Sequence, residues 1–445
     1  VRQVISSLQW FLFIISGSIV VPVTVASLYQ LETADAMAFI SRTFFVLAVA
    51  GLLQTAFGHR LPLNEGPAGI WWGIFILYAS FGVALYGTRA ETLRVLESAL
   101  IMSGILFMLL SLLGIVDRLA RLFTPTVTGT YLLLLAVQLS GSFLKGLLGV
   151  DETGKVSIVV AALSTIIIFL SLWMTNHPVL RQFSIIVSMI TGWILFRLFG
   201  FAPSIHWTEK WFEFPKWFAF GPPRWEWGIV PTAFFVTLLL LTNMLASVKV
   251  VESVMKAEKA NAGNPSPKRA GFMMGISHMI SGVLAAIGSV PISGAASFIA
   301  TSKITKRLPF VIACVLIMLM SLFMPAVSLF TAMPAAVGYA AIFPMFAGMI
   351  TLGLKELEQN GGWKERAEQV SLPLFTGIGV MFVPSEAFAP LPPVIASVAS
   401  NGLIVGTLLS IFAGSSGRKK RGYFCIEVAL LYRRGWTIHK HDARG

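Results

Sequence analysis

Twelve apolar runs of helical length recur along this chain, at about 8–28, 37–57, 98–115, 125–143, 156–174, 182–202, 230–250, 270–288, 308–330, 333–354, 369–384 and 390–413. A helix that crosses the hydrocarbon core needs about 20 mostly apolar residues, so each run can span a bilayer. Two further apolar segments, about 66–85 and 291–304, open in Pro/Gly/Ser-rich stretches, RLPLNEG at 60–66 and SVPISGA at 289–295. These predict half helices preceded by short extended strands. The expected fold class is an all-α polytopic membrane protein with fourteen transmembrane segments. Composition agrees, because 56% of the residues are hydrophobic and 12% charged, against about 25% charged in a soluble domain. A soluble enzyme is excluded on that balance. Cys314 and Cys425 are the two cysteines, too few for a disulfide framework.

In chain order the half helices are third and tenth, seven apart, and each opens with Pro followed by Gly: Pro62 and Gly66, then Pro291 and Gly294. An odd number of spans per half reverses the orientation of the second half, so the pattern predicts a seven-plus-seven inverted repeat. With the N-terminus inside, sixteen Lys and Arg before the tail fall on the inner side and nine on the outer, as the positive-inside rule requires. Eight more lie in the tail. The expectation is one transporter domain over 1–417 and a basic cytoplasmic tail over 418–445, with both termini cytoplasmic. The outer segment 203–228, with Trp207, Trp211, Trp217, Trp225 and Trp227, reads as an interfacial aromatic belt.

Signatures of soluble enzymes are missing: the sequence has no GxxxxGK loop, no HExxH and no cysteine pair at metal spacing. No enzymatic activity, metal, cofactor or nucleic-acid partner is expected. Polar residues inside the spans say more, since they face protein or a cavity rather than lipid. They are Gln54, Glu65, Gln138, Asn243 and His278. Gln54 and Gln138 can serve as hydrogen-bonding glue between helices. Glu65 lies five residues after Arg60, and an extended strand would carry it roughly 15 Å inward at ~3.3 Å per residue; an ion pair with Arg60 near the surface is the alternative. His278 is either a satisfied core histidine or a proton-sensing partner of a site. The half helices contribute their backbones, because a helix that starts in mid-membrane has unpartnered N–H groups at its positive end. Gly66, Ala68 and Gly69 in one repeat, and Gly294, Ala295 and Ala296 in the other, are small enough for a ligand to approach. Two such ends converging suit carbonyl oxygens or an anion.

The run GLLQTAFGHRLPLNEGPAGIWWG at 51–73 resembles the Gln-x-x-x-Gly-x-Arg-Leu-Pro-x-x-x-Gly segment of nucleobase-ascorbate transporters, the uracil/xanthine permease group. Gln9, the half helix 291–304 ending in Thr305-Lys306, and Gly348-Met349-Ile350 are similar to that family too. The resemblance covers about 8–413. It implies a core domain of spans 1–4 and 8–11, about 8–115 and 230–330, and a gate domain of spans 5–7 and 12–14, about 125–202 and 333–413. It also implies uptake of a purine or pyrimidine base across the inner membrane, coupled to H+ or Na+, with the base between the two half-helix openings and Asn243. A homodimer is among the expectations.

The sequence departs from the family at Asn243, where members carry a glutamate. It departs again at Ser297, Phe298 and Ala300 in the span-ten signature, and at Gly69 in place of an aromatic. An asparagine amide still offers a donor beside an acceptor, complementary to the cis-amide edge of a base. It does not titrate, so proton coupling would fall to Glu65 or His278. Alternative readings are an anion carrier like the sulfate permeases, which share the fold, and a transport-inactive sensor or scaffold.

Overall fold

The structure, a computed structural model, describes residues 2–416 except 151–153, 178–179, 206, 209, 359–362, 389–394, 396–398 and 400; the tail 418–445 lies outside the described residues. The first half contains α1 (Arg2–Ser18), α2 (Val20–Leu28), α3 (Thr33–Ala56), β1 (Glu65–Pro67), α4 (Gly69–Tyr86), α5 (Arg89–Leu112), the short α6 (Ile115–Ala120), α7 (Pro125–Leu147), α8 (Ile158–Asn176) and α9 (Ser184–Leu198). The second contains α10 (Val230–Ala257), α11 (Pro267–Val283), β2 (Ser289–Pro291), α12 (Gly294–Ser302), α13 (Arg307–Leu322), α14 (Met324–Thr331), α15 (Ala335–Glu358), α16 (Trp363–Phe382) and α17 (Gly402–Ser416). Among the described residues, seven helices are long and apolar enough to cross a membrane by themselves, with α1 and α2 counted as one bent span. Shorter apolar helices and the two half helices supply the rest, which makes this a multi-pass membrane protein.

Local sequence sets several boundaries. The Thr88 hydroxyl accepts the N–H of Glu91 at 3.1 Å, so α5 begins at Arg89, well before the apolar run at 98. Ser266 accepts from the N–H of Arg269 at 3.3 Å, and Pro267 follows at the first helical position, where its missing N–H costs nothing. Pro344 inside α15 and Pro373 inside α16 remove a helical hydrogen bond each.

The packing repeats itself with the halves exchanged. α3 lies against α13 and α11 against α5; α1 lies against α13 and α10 against α5. α8 and α9 pack on α15, while α16 and α17 pack on α7, and α7 pairs with α15 across the pseudo-symmetry. Each of these contacts has a counterpart with the halves exchanged, as an inverted repeat requires. The central α3 buries 72% of its apolar window and the peripheral α8 only 28%, which leaves Phe169 and Trp173 of α8 facing outward. α5 crosses α11 closely, where a Cβ on Gly104 or on Gly275 would stand 2.6 Å from the other residue's carbonyl oxygen.

The segment 203–228 before α10 is more than a belt. Its five tryptophans are exposed, as interfacial rings should be. Its backbone, however, is bound to the helix ends below: Phe218 N–H donates to Val283 O at 2.7 Å, Met324 N–H to Trp211 O at 3.0 Å, and Arg224 N–H to Arg94 O at 3.1 Å.

Candidate functional site

β1 and β2 pair antiparallel deep in the molecule, with Glu65 opposite Pro291, Gly66 opposite Val290 and Pro67 opposite Ser289. Ile292 N–H donates to Asn64 O at 2.9 Å and Ala68 N–H to Gly288 O at 2.8 Å. Antiparallel ladders alternate hydrogen-bonded and non-bonded pairs, so Gly66 and Val290 form the bonded pair. Both prolines therefore fall where no N–H is needed, the only kind of position a paired strand offers them. Irregular backbone at membrane depth has to find partners inside the protein, and here each repeat supplies them to the other.

The expected ligand-facing N–H groups are mostly committed elsewhere, which corrects the sequence reading. Ala68 is bound to Gly288 as above, Ala295 N–H donates to Ile292 O at 3.1 Å, and Ala296 N–H donates to Ser293 O at 2.9 Å. Gly66 is small for its neighbour rather than for a ligand, because a Cβ there would meet Ile292 Cγ1 at 2.6 Å. Gly69 is different: it is exposed, and a Cβ there would meet no atom within 4 Å. Gly294 faces Phe346 of α15, whose ring would stand 3.1 Å from an added Cβ.

Around this crossing, buried polar side-chain atoms lack partners. Among the described residues they include the Asn64 Oδ1, the Ser297 hydroxyl and the amide of Gln9 on α1, a helix that packs on β1, while the Glu65 carboxyl group has only the Ser289 hydroxyl of the other strand beside it. Glu65 is 2% exposed. No ion pair joins it to Arg60 among the described residues, and Arg60 is exposed, so the surface-pair alternative falls. Native proteins satisfy nearly all buried polar groups, and clustered exceptions mark functional places.

Asn243, half-buried on α10, faces the same crossing through a chain of hydroxyls. Tyr131 of α7 donates to Asn243 Oδ1 at 2.5 Å, and Ser293 donates to the Tyr131 oxygen at 3.3 Å. Ser247, one turn beyond Asn243, stands 2.7 Å from the Ser293 hydroxyl and donates to Pro291 O at 2.8 Å. The amide is thereby tied to β2, directly across from Glu65. The aromatic wall comes from α1, α7 and α15: Phe346 lies 4.6 Å from Phe143 and 6.4 Å from Phe13, ring centre to ring centre.

His278 sits behind this site rather than in it. Its ring lies 4.9 Å from Phe107 and 6.4 Å from Trp71, its Nδ1 is 3.0 Å from Met274 O, and its Nε2 has no partner. Trp71 in turn lies against Gly288, just before β2. Gln54 Nε2 donates to Ala270 O at 2.9 Å and so joins α3 to α11. Gln138 is exposed. Two buried charges escaped the sequence reading, Arg42 on α3 and Glu97 on α5. Arg42 lies over the Phe220 ring at 5.4 Å, toward the segment 203–228. Among the described residues, no group of three or more His, Cys, Asp or Glu could hold a metal ion.

Residues 1–386 match the xanthine–uracil permease profile, described as Permease family. A Bacillus subtilis protein provisionally named as a purine permease, YwdJ, is 41% identical over 420 residues, 93% of this chain and 95% of that one. The uric acid permease PucK of the same organism is 24% identical over 419 residues, 91% of this chain and 93% of that one. Among solved structures, the murine anion transporter Slc26a9 aligns with a TM-score of 0.56 at 13% identity, covering 94% of this chain and 68% of that one. The transmembrane domain of the cyanobacterial bicarbonate transporter BicA aligns at 0.50 and 13% identity, covering 93% and 96%. At such identities the likeness is one of fold.

Proposed function

The chain belongs to the permease family, and on that footing we propose that it takes up a purine base across the inner membrane, driven by a coupled proton. The observation that carries this reading is the strand crossing itself: two half helices open beside a buried carboxyl group with no cationic partner among the described residues, with the Asn243 amide held across from it. An amide reads the donor–acceptor edge of a base, and Phe346 and Phe143 offer faces on which a flat ring can stack. The purine choice rests on the relatives' names. Ser297 and the open N-terminus at Gly69 face the same ligand, and Glu65 serves as the proton carrier.

The helices α1–α6 and α10–α14 act as the core that holds the base, and α7–α9 and α15–α17 as the gate against which it moves. Both termini lie in the cytoplasm. The test is uptake of radiolabelled xanthine, hypoxanthine, uric acid and adenine by proteoliposomes with an imposed proton gradient. We expect accumulation of at least one purine, lost when a protonophore collapses the gradient. Uptake that sulfate suppresses and excess purine does not would refute the reading.

A further inference from the structure

We propose that Tyr131, on α7, is a positioning residue that locks the Asn243 amide in one orientation and so lets the site tell oxo purines from amino purines. The inference rests on the reading that a purine docks at Asn243. An amide has nearly the same shape when turned half a revolution about its last side-chain bond, but its donor and acceptor exchange places. A free asparagine can therefore match either of two opposite edges. An oxo purine presents a carbonyl acceptor beside a ring N–H donor. An amino purine presents an amino donor beside a bare ring nitrogen, the same edge with the roles exchanged. Discrimination between them requires something that stops the amide from turning.

The hydroxyl chain does this. Pro291 O can only accept, and Ser247 donates to it. Ser247 shares its one proton, as a three-centre bond, between Pro291 O and the Ser293 oxygen 2.7 Å away, which leaves Ser293 to send its own proton to the Tyr131 oxygen. With that oxygen already accepting, the Tyr131 proton is directed to Asn243 Oδ1. The chain is anchored in backbone at β2, and Tyr131, Ser247 and Ser293 are all buried, so no solvent water competes for these bonds. The amide oxygen is pinned on the Tyr131 side, so its second lone pair and the neighbouring N–H face the ligand in one fixed order. Half-burial of Asn243 fits a side chain with one end held and the other presented. A site built to hydrogen-bond one edge rejects the opposite edge strongly, because its own polar groups are left unpaired.

Direct binding of radiolabelled hypoxanthine and adenine to the purified full chain tests this, with affinities compared as a ratio. We expect the wild type to prefer one of the two by at least about tenfold. Tyr131→Phe keeps the ring and removes the hydroxyl; it should bring the ratio to within about threefold, chiefly by improving the disfavoured purine, since the freed amide can turn to match it. Ser293→Ala leaves Tyr131 in place but removes the bond that directs its proton. It should move the ratio the same way by a smaller factor, and it carries the test if Tyr131→Phe fails to fold. A purely structural role for Tyr131 would weaken both purines in proportion and leave the ratio unchanged, which overturns the proposal. So does a wild-type ratio near one. If instead Asn243→Ala binds both purines as well as the wild type does, the placement of the base at Asn243 is what fails.

Discussion

On the first-repeat side of the strand crossing stand Asn64 and Glu65; on the second-repeat side stand Pro291 and Ile292. The backbone plan is shared. Each lead-in passes through one non-glycine residue in the left-handed region, Arg60 at φ 60 and Ala285 at φ 50, then three strand residues, then a helix beginning in mid-molecule. The side chains diverge. The first strand carries a buried carboxyl group, while the second offers a proline whose carbonyl is bound by Ser247. The half helices differ as well, since α4 runs for 18 residues and α12 for 9. Symmetry builds the crossing, and on the proposed function the departures from symmetry equip one half for the proton and the other for the ligand-reading amide. That division of labour can be broken from either side.

The largest effect is expected at Gly66. Gly66→Val would drive its side chain into Ile292, 2.6 Å from the Cβ position, and overpacking of this kind costs about 1–3 kcal/mol or more. Because both repeats hang on this strand pair, we expect a purified variant that melts well below the wild type or fails to assemble. Gly69→Ala, three residues past the strand's bonded pair, meets open space and should melt within a degree or two of wild type, ~1 °C per few tenths of a kcal/mol. If both variants melt alike, the packing role of Gly66 is wrong.

The paired crossings give a second, smaller contrast. Gly275→Ala on α11 meets the Gly104 carbonyl oxygen at 2.6 Å, whereas Gly51→Ala on α3 meets the Cys314 sulfur at 3.0 Å. A backbone carbonyl in a helix cannot move aside and a side-chain sulfur can. We expect a loss of about 1–3 kcal/mol for the first and less than about 1 kcal/mol for the second, read from thermal melts in the same detergent. The reverse order would mean that the two crossings are not the structural counterparts proposed. Smaller again is Ser247→Ala, which leaves Pro291 O without its donor at a cost of about 1 kcal/mol. Its effect should show in stability and in purine affinity together, because the same hydroxyl serves the strand and the chain to Asn243.

Much of this was legible in the sequence. Gly/Pro-interrupted apolar segments seven spans apart announced the half helices and the inverted repeat; that their lead-ins pair as strands, 65–67 against 289–291, is visible only in the structure. Glu65 stood out because a carboxyl group in an apolar stretch has few harmless explanations. What stayed hidden depends on partners far away in the chain. Tyr131 sits in an ordinary apolar run, and nothing in its neighbourhood of sequence points to Asn243, 112 positions later. Ser247 and Ser293 are common small residues whose meaning lies in a 2.7 Å contact across 46 positions. Glu97 was missed because the apolar run was started one residue too late, while the cap at Thr88 carries the helix back to Arg89. The small residues at the half-helix openings were chosen correctly as small, but Gly66 is small for Ile292 and Ala68 spends its N–H on Gly288.

The measurement that bears most directly on the division between the two halves is accumulation against exchange in Glu65→Gln. Glutamine keeps the size and polarity of the side chain and cannot carry a proton. Proteoliposomes holding the variant should still bind labelled purine and exchange it with unlabelled purine inside, because Asn243, Tyr131 and the strand crossing are untouched. They should not concentrate purine when a proton gradient is imposed. Accumulation at the wild-type level would contradict the account and hand the proton to another group, with His278 the next to be tested.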